Sequence, residues 1–235
     1  LDGLTDLTVL WLNNNQIEDI GPLTALSGLT RLYLHDNQIE DISPLASLES
    51  LAVLVIDRDR IEDISPLDPL TNLTVLWTIH FPDPNLESAI REVIHRPQGP
   101  IYTLELEGIT TLSLSGRDIT DLTGLEYCLN LKRLELSDNN IADVSPLASL
   151  TNLTWLYLNG NRIVDLVPLT TLPSPDDDWT DDLEPTNTLP NLVELWLNDN
   201  QIENIEPLAP LINLNKLRLH NNQISDIEPL TSLTN

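Results

Sequence analysis

Side chains able to do covalent or metal chemistry are few and scattered. Four histidines and one cysteine show none of the spacings that build a zinc site. His35 falls beside Asp57 in a shared repeat column and His220 follows Asn198, but neither pair has a nucleophile in a recessed site. Both read as polar surface, and neither catalysis, a cofactor nor a metal is expected. Cys128 sits where other repeats carry leucine, as at Leu26 and Leu150, so it reads as a small buried apolar side chain. Without a partner it forms no disulfide, which does not exclude an extracellular protein with a large core.

Carboxylates are the abundant group. Thirty-seven acidic residues against eleven basic ones give a net charge of −26, which repels nucleic acid and anionic membranes at long range. One column of acids, Asp19, Asp41, Asp63, Asp121, Asp143, Asp165 and Asp226, with Asn204 as its exception, recurs at equivalent positions. At a strand spacing of about 4.8 Å such neighbours repel by roughly 0.8 kcal/mol in water. Backbone N–H groups at the turns are the expected compensation; a row of bound cations is the alternative. A second concentration, PSPDDDWTDDLEPTNT, is no EF-hand loop: counted from Asp176, the sixth position is Asp181 rather than Gly and the twelfth is Asn187 rather than Glu. It reads as a solvated surface loop, with partner contact through Trp179 or a calcium site as its functional alternatives.

These groups hang on a repeat. Leu7, Leu29, Leu51 and Leu73 are 22 residues apart, and around them the chain reads LTVLWLNNNQIEDI, LTRLYLHDNQIEDI, LAVLVIDRDRIEDI and LTVLW. The pattern resumes at Ile109, Leu131, Leu153, Leu192 and Leu214. A fixed period of this length predicts stacked strand-containing units, each hiding against its neighbours an apolar face it cannot bury alone. In L-x-x-L-x-L the last two leucines share one face of a strand, so Leu10 and Leu12 point inward while Val9, Trp11 and Asn13 point outward. The asparagines at the ninth position, Asn15, Asn37, Asn139, Asn161, Asn200 and Asn222, are expected to turn their amides onto the backbone as a ladder; Asp59 and Arg117 interrupt it. Ser43-Pro44, Ser65-Pro66 and Ser145-Pro146 predict short helical turns with Ser as N-cap.

The outward positions carry the candidate site. The fifth column reads Trp11, Tyr33, Val55, Trp77, Ser113, Glu135, Tyr157, Trp196 and Arg218. The third reads Val9, Arg31, Val53, Val75, Arg133, Trp155, Glu194 and Lys216. Aromatic rings on an open face offer large, rigid contact area, so Trp11, Tyr33, Trp77, Trp155, Tyr157 and Trp196, with Arg31, Arg133 and Arg218 beside them, are the predicted partner-binding residues of a concave surface. Cross-strand stabilisation of the sheet is the competing reading of the same rings.

The consensus LxxLxLxxNxIxDIxPLxxLxx resembles the 22-residue leucine-rich repeats of bacterial internalin-like proteins, over roughly four fifths of the chain. That resemblance implies a curved parallel β-sheet solenoid with short 3₁₀ or α turns on its convex side. It also implies a secreted or surface-attached protein that binds on its concave face. FPDPNLESAIREVIHRPQGPI interrupts the array with helix punctuation: Asp83 can cap, Pro84 suits the first turn, and Leu86, Ala89, Ile90, Val93 and Ile94 recur at helical spacing. It resembles the N-terminal cap of such arrays. The expected organisation is therefore a first array over 1–79, a helical cap-like segment over 80–108, and a second array over 109–235 with a surface insertion at about 173–189. Leu1 and Asn235 both fall inside a repeat unit, which suggests a piece of a longer protein or a unit stacked end to end.

The reading is a non-catalytic adhesion or binding scaffold, extracellular or on the cell surface, that recognises a protein through its aromatic-lined concave face. A structural subunit of a surface layer or filament, self-associating end to end, and a polysaccharide-binding module are the alternatives. Nucleic-acid binding and membrane insertion are not expected, since no apolar stretch reaches about 18 residues.

Overall fold

A computed structural model describes Leu4 and residues 6–170 and 189–233. Trp179 and the acidic insertion, Leu189 excepted, lie outside them. The chain forms two compact units, Leu1–His80 with Gln98–Leu104, and Phe81–Pro97 with Glu105–Asn235.

In the first unit, strands β1 (Val9–Trp11), β2 (Arg31–Tyr33), β3 (Val53–Asp57) and β4 (Thr74–Ile79) pair in parallel, and β5 (Ile101–Tyr102) closes the edge antiparallel to β4. Leu10, Leu32 and Leu54 are paired across β1 to β3. With Leu34 and Ile56 they form the inward rows, packed against Ile20, Leu23, Ile42, Leu45 and Leu48 on the return segments. Each fully buried Leu or Ile contributes about 1.5–3 kcal/mol of gross transfer energy, most of which offsets the entropy of ordering the chain.

The turn after each short strand is set by a backbone requirement. Asn14 and Asp36 in the first unit, and Gly116, Asp138, Gly160, Asp199 and Asn221 in the second, all have positive φ. Gly, Asn and Asp are the residues that tolerate it. At the equivalent place the third repeat has Arg58, which is not among the positive-φ residues. There β3 runs on to five residues and β4 to six, against three in β1 and β2. The pairing also changes: Thr74 pairs with Val53, Val75 with Leu54 and Trp77 with Ile56, a spacing of 21 residues instead of 22. A one-residue shift exchanges the two faces of a strand.

In the second unit, helix α1 (Pro84–Val93) precedes strands β6 (Thr111–Ser113), β7 (Arg133–Glu135), β8 (Trp155–Tyr157), β9 (Glu194–Trp196) and β10 (Lys216–Arg218), all parallel. Asp83 caps α1 by accepting the N–H groups of Asn85 (2.9 Å) and Leu86 (3.0 Å). Leu86, Ala89 and Ile90 are buried, while Val93, expected on the same apolar face, is exposed. The segment over 80–108 is thus divided: the helix belongs to the second unit and β5 to the first.

The asparagine ladder runs through Asn15 and Asn37 in the first unit and through Asn139, Asn161, Asn200 and Asn222 in the second. Asn161 donates to the carbonyls of Leu136 (2.9 Å) and Leu158 (3.0 Å) and accepts the N–H of Ile141 (3.0 Å). Asn37, Asn139, Asn200 and Asn222 repeat the arrangement, and Asn15 donates to Leu12 and Asn13. Where Asp59 replaces asparagine, the guanidinium of Arg58 donates to the Ile61 carbonyl.

The 3₁₀ turns are capped differently from expectation. Ser43, Ser65 and Ser145 are not the N-caps but the first turn residues. Their backbone N–H groups are received by Asp41, Asp63 and Asp143, two residues upstream, at 2.8–2.9 Å. Asp19, Asp121, Asp165, Asn204 and Asp226 do the same. The acidic column therefore satisfies turn donors. Among the described residues no group of three or more His, Cys, Asp or Glu has the arrangement of a metal site.

Candidate functional site

On the outward face of the first sheet, the Trp11 and Tyr33 rings are stacked with centroids 5.4 Å apart and planes 13° from parallel. Trp11 is 64 % exposed, and Arg31 is exposed beside it. Trp77 is elsewhere. The register change at β4 sets it opposite Ile56 and packs it against the core, with the Arg58 guanidinium carbon 5.6 Å from its ring centroid. Its expected place in the outward row passes to Leu76, paired with Val55. The physical reason is register: the one-residue slip between β3 and β4 exchanges the two faces of β4 and turns Trp77 inward.

The seventh column of this unit is a hydrogen-bonded corner. His35 Nδ1 lies 2.8 Å from Asp36 Oδ2. Asp57 instead accepts the Thr78 hydroxyl at 2.5 Å and the Asp36 N–H at 2.7 Å. Burial pushes the Asp57 carboxyl above its ordinary range despite these bonds. His35 and Asp57 thus each contact Asp36, one at its carboxylate and the other at its N–H, and no hydrogen bond joins them; the corner holds the strand end together.

On the outward face of the second sheet, four side chains from four successive strands form one row. Arg133 (β7) stands over Tyr157 (β8), 5.0 Å from its ring centroid. Tyr157 meets Trp196 (β9) at 4.4 Å between centroids and 36° between planes. Arg218 (β10) stands over Trp196 at 3.7 Å. Two cations thus flank two rings, each held by the negative face of its aromatic neighbour. Tyr157 is only 8 % exposed, so it supports the row instead of offering its ring. Trp155, in the third column, remains exposed.

Carboxylates thread the row. Glu135 pairs with Arg133 at 2.7 Å and receives the Ser113 hydroxyl; these two contacts, the serine first, hold its carboxyl below the usual range. Glu194, which sequence patterning placed in the third column without a role, proves buried: it accepts the Trp196 indole N–H (2.9 Å) and the Lys216 ammonium (3.1 Å). A glutamate two residues before an aromatic on the same strand was the available signal, since alternate residues share a face.

Eight of the nine residues expected on the outward surface stand on outward positions: Trp11, Tyr33 and Arg31 together on one sheet, and Arg133, Trp155, Tyr157, Trp196 and Arg218 together on the other. Cys128 is fully buried, and burial pushes its thiol up to about 12.

A family model described as leucine-rich repeats in two copies matches residues 5–47 and 27–69. No curated protein matches the chain. Among solved structures, an internalin (inlF) from Listeria monocytogenes is 29 % identical, covering 99 % of this chain and 60 % of its own, with a TM-score of 0.48. Internalin C2 (inlC2) from the same organism is 30 % identical, with 99 % of this chain and 79 % of its own covered and a TM-score of 0.46. A leucine-rich-repeat protein from Leptospira interrogans is 22 % identical, covers 99 % and 54 %, and has a TM-score of 0.47. The chain spans 60 % of the length of the internalin inlF structure. With its 22-residue period, asparagine ladder, parallel strands and matched repeat model, the chain is a leucine-rich-repeat protein of the bacterial, internalin-like repeat type.

Proposed function

We propose that this chain is a non-catalytic binding scaffold, working outside the cell or on its surface, that recognises a protein partner through the outward sheet faces. The observation that carries the reading is the row Arg133–Tyr157–Trp196–Arg218 with exposed Trp155 beside it. Such a row is rigid before any partner arrives, so little side-chain entropy remains to be lost on binding. Rigid aromatics and arginines are also the residues that dominate protein interfaces. An extracellular place is supported by the resemblance to internalin-like proteins and by a strongly acidic chain; among the described residues no helix is long and apolar enough to cross a membrane.

The test compares capture of surface proteins with binding to a glycan array, using the intact chain and its Trp155→Ala and Trp11→Ala variants. A protein ligand whose affinity falls tenfold or more with Trp155→Ala, at unchanged melting temperature, is the expected result. Full retention of binding by both variants would sink the proposal. A specific observation favours polysaccharide as the second reading: the flat, exposed Trp11 ring backed by Tyr33 is a platform on which a sugar ring can stack. Glycan binding lost only with Trp11→Ala would select it.

A further inference from the structure

Both ion pairs on the outward face of the second unit are oriented the same way. Arg133 and Glu135 pair at 2.7 Å with side-chain exposures of 41 % and 24 %, and Lys216 and Glu194 pair at 3.1 Å with 67 % and 9 %. In each, the carboxylate lies inward and the cation outward. The carboxylates are also occupied from a second side, Glu135 by the Ser113 hydroxyl and Glu194 by the Trp196 indole N–H. A guanidinium carries five donors and an ammonium three, so Arg133 and Lys216 retain donors toward solvent after their pairs are made. Arg218 is exposed, rests on the Trp196 ring, and has no ion-pair partner among the described residues. Three of the chain's eleven basic residues thus converge on one sheet face of a molecule whose net charge is −26.

We infer that this face is a receptor for an acidic segment of a protein partner, whose carboxylates engage Arg218, Lys216 and Arg133 while an apolar or aromatic side chain packs on Trp155. The inference rests on the outward face being a binding surface and adds the chemistry of what it binds. The molecule's overall negative charge does not oppose it at contact: at physiological ionic strength, charges more than about 8 Å away are largely screened, and of the groups within reach the cations stand outermost while Glu135 and Glu194 lie beneath them, each already paired. A basic segment would have to desolvate Arg218 and Lys216 against like charge, an arrangement that interfaces exclude. Arg218 is the specific element, because a guanidinium already stacked on a ring presents its edge to a carboxylate with little freedom left to lose.

The test is isothermal titration of the intact chain with three synthetic peptides of equal length, repeats of Glu-Tyr, Gln-Tyr and Lys-Tyr, and with heparin as a sulfated polysaccharide. The Glu-Tyr peptide is expected to bind one to one, at least tenfold tighter than Gln-Tyr. Its affinity should fall about tenfold in Arg218→Gln and further in Arg218→Glu, with melting temperatures unchanged, as for loss of a charged hydrogen bond. Lys-Tyr binding, drawn to the acidic surface elsewhere, should not respond to Arg218. Four results overturn the inference: equal binding of Gln-Tyr, Glu-Tyr binding unmoved by both Arg218 variants, no binding of Glu-Tyr at all, or heparin alone responding to Arg218. Sedimentation of the chain alone covers a second copy as occupant; a dimer broken by Arg218→Glu would also overturn it. If Gln-Tyr binds as tightly as Glu-Tyr and both are lost with Trp155→Ala, the charge preference fails while the binding face stands. If neither responds to Trp155→Ala, the face itself fails.

Discussion

The Asp83 carboxylate accepts both the backbone N–H and the hydroxyl of Thr120, at 2.8 and 3.0 Å, while its other oxygen caps the N-terminus of α1. One buried side chain therefore ties the helix to the first turn of the second array. Burial pushes its carboxyl upward, but the hydrogen bonds from Thr120, Leu86 and Asp121 together hold it below the ordinary value. Loss of a cap costs about 1 kcal/mol, and each buried N–H left unsatisfied costs about 1–3 kcal/mol. Asp83→Ala should thus destabilise the second unit by about 3 kcal/mol in urea unfolding; a change under about 0.5 kcal/mol, typical of a neutral surface substitution, would contradict this account.

Phe81 reinforces the same junction. Gly124, with φ of 101°, lies so close to the Phe81 ring that an added Cβ would be 2.5 Å from it. Gly124→Ala combines a left-handed backbone cost of about 1 kcal/mol with an overpacking cost of about 1–3 kcal/mol. A clear fall in melting temperature is expected, and its recovery in a Gly124→Ala, Phe81→Leu double variant would identify the ring as the cause.

The two first-unit tryptophans make a direct contrast. Trp77 packs on the core and Trp11 is 64 % exposed, so Trp77→Ala should cost about 2 kcal/mol or more and Trp11→Ala about 0.5 kcal/mol or less. Equal effects in chemical denaturation would mean that β4 keeps the 22-residue register and Trp77 faces outward.

The acidic column sets a pH dependence. Hydrogen bonds from Ser43, the backbone one first, and from Ser65, the side-chain one first, hold Asp41 and Asp63 below the ordinary aspartate range. A depressed carboxyl stabilises the fold above its unfolded-state value and loses that contribution as pH falls through the lower folded value. Melting temperature should therefore drop below about pH 4, and less steeply in an Asp41→Asn, Asp63→Asn variant. Identical acid profiles would remove the column as a cause.

Cys128, fully buried with its thiol near 12, should react with a disulfide reagent only after unfolding, because the thiolate is the nucleophile. Rapid labelling of the native chain would show that this part of the stack is open.

Sequence alone determined the repeat. A 22-residue period with leucines two apart, an asparagine at the ninth position and Asp83-Pro84 ahead of a helical pattern are local signals. Each states which face is apolar or which backbone group needs a partner, so the parallel strands, the ladder and the capped helix were all readable. It also placed Trp155, Tyr157 and Trp196 on an outward face, since alternation along a strand is a local rule. What it could not decide was register and pairing between strands. Arg58 stands where other repeats have a residue with positive φ, but only the pairing of β3 with β4 shows the one-residue shift that carries Trp77 inward. Tertiary structure likewise decided that Tyr157 is covered, that Glu194 is buried against Trp196 and Lys216, and that the ion pairs turn their cations to solvent. Such relations depend on how neighbouring strands are registered and on which rotamers their side chains adopt, which composition and periodicity do not contain.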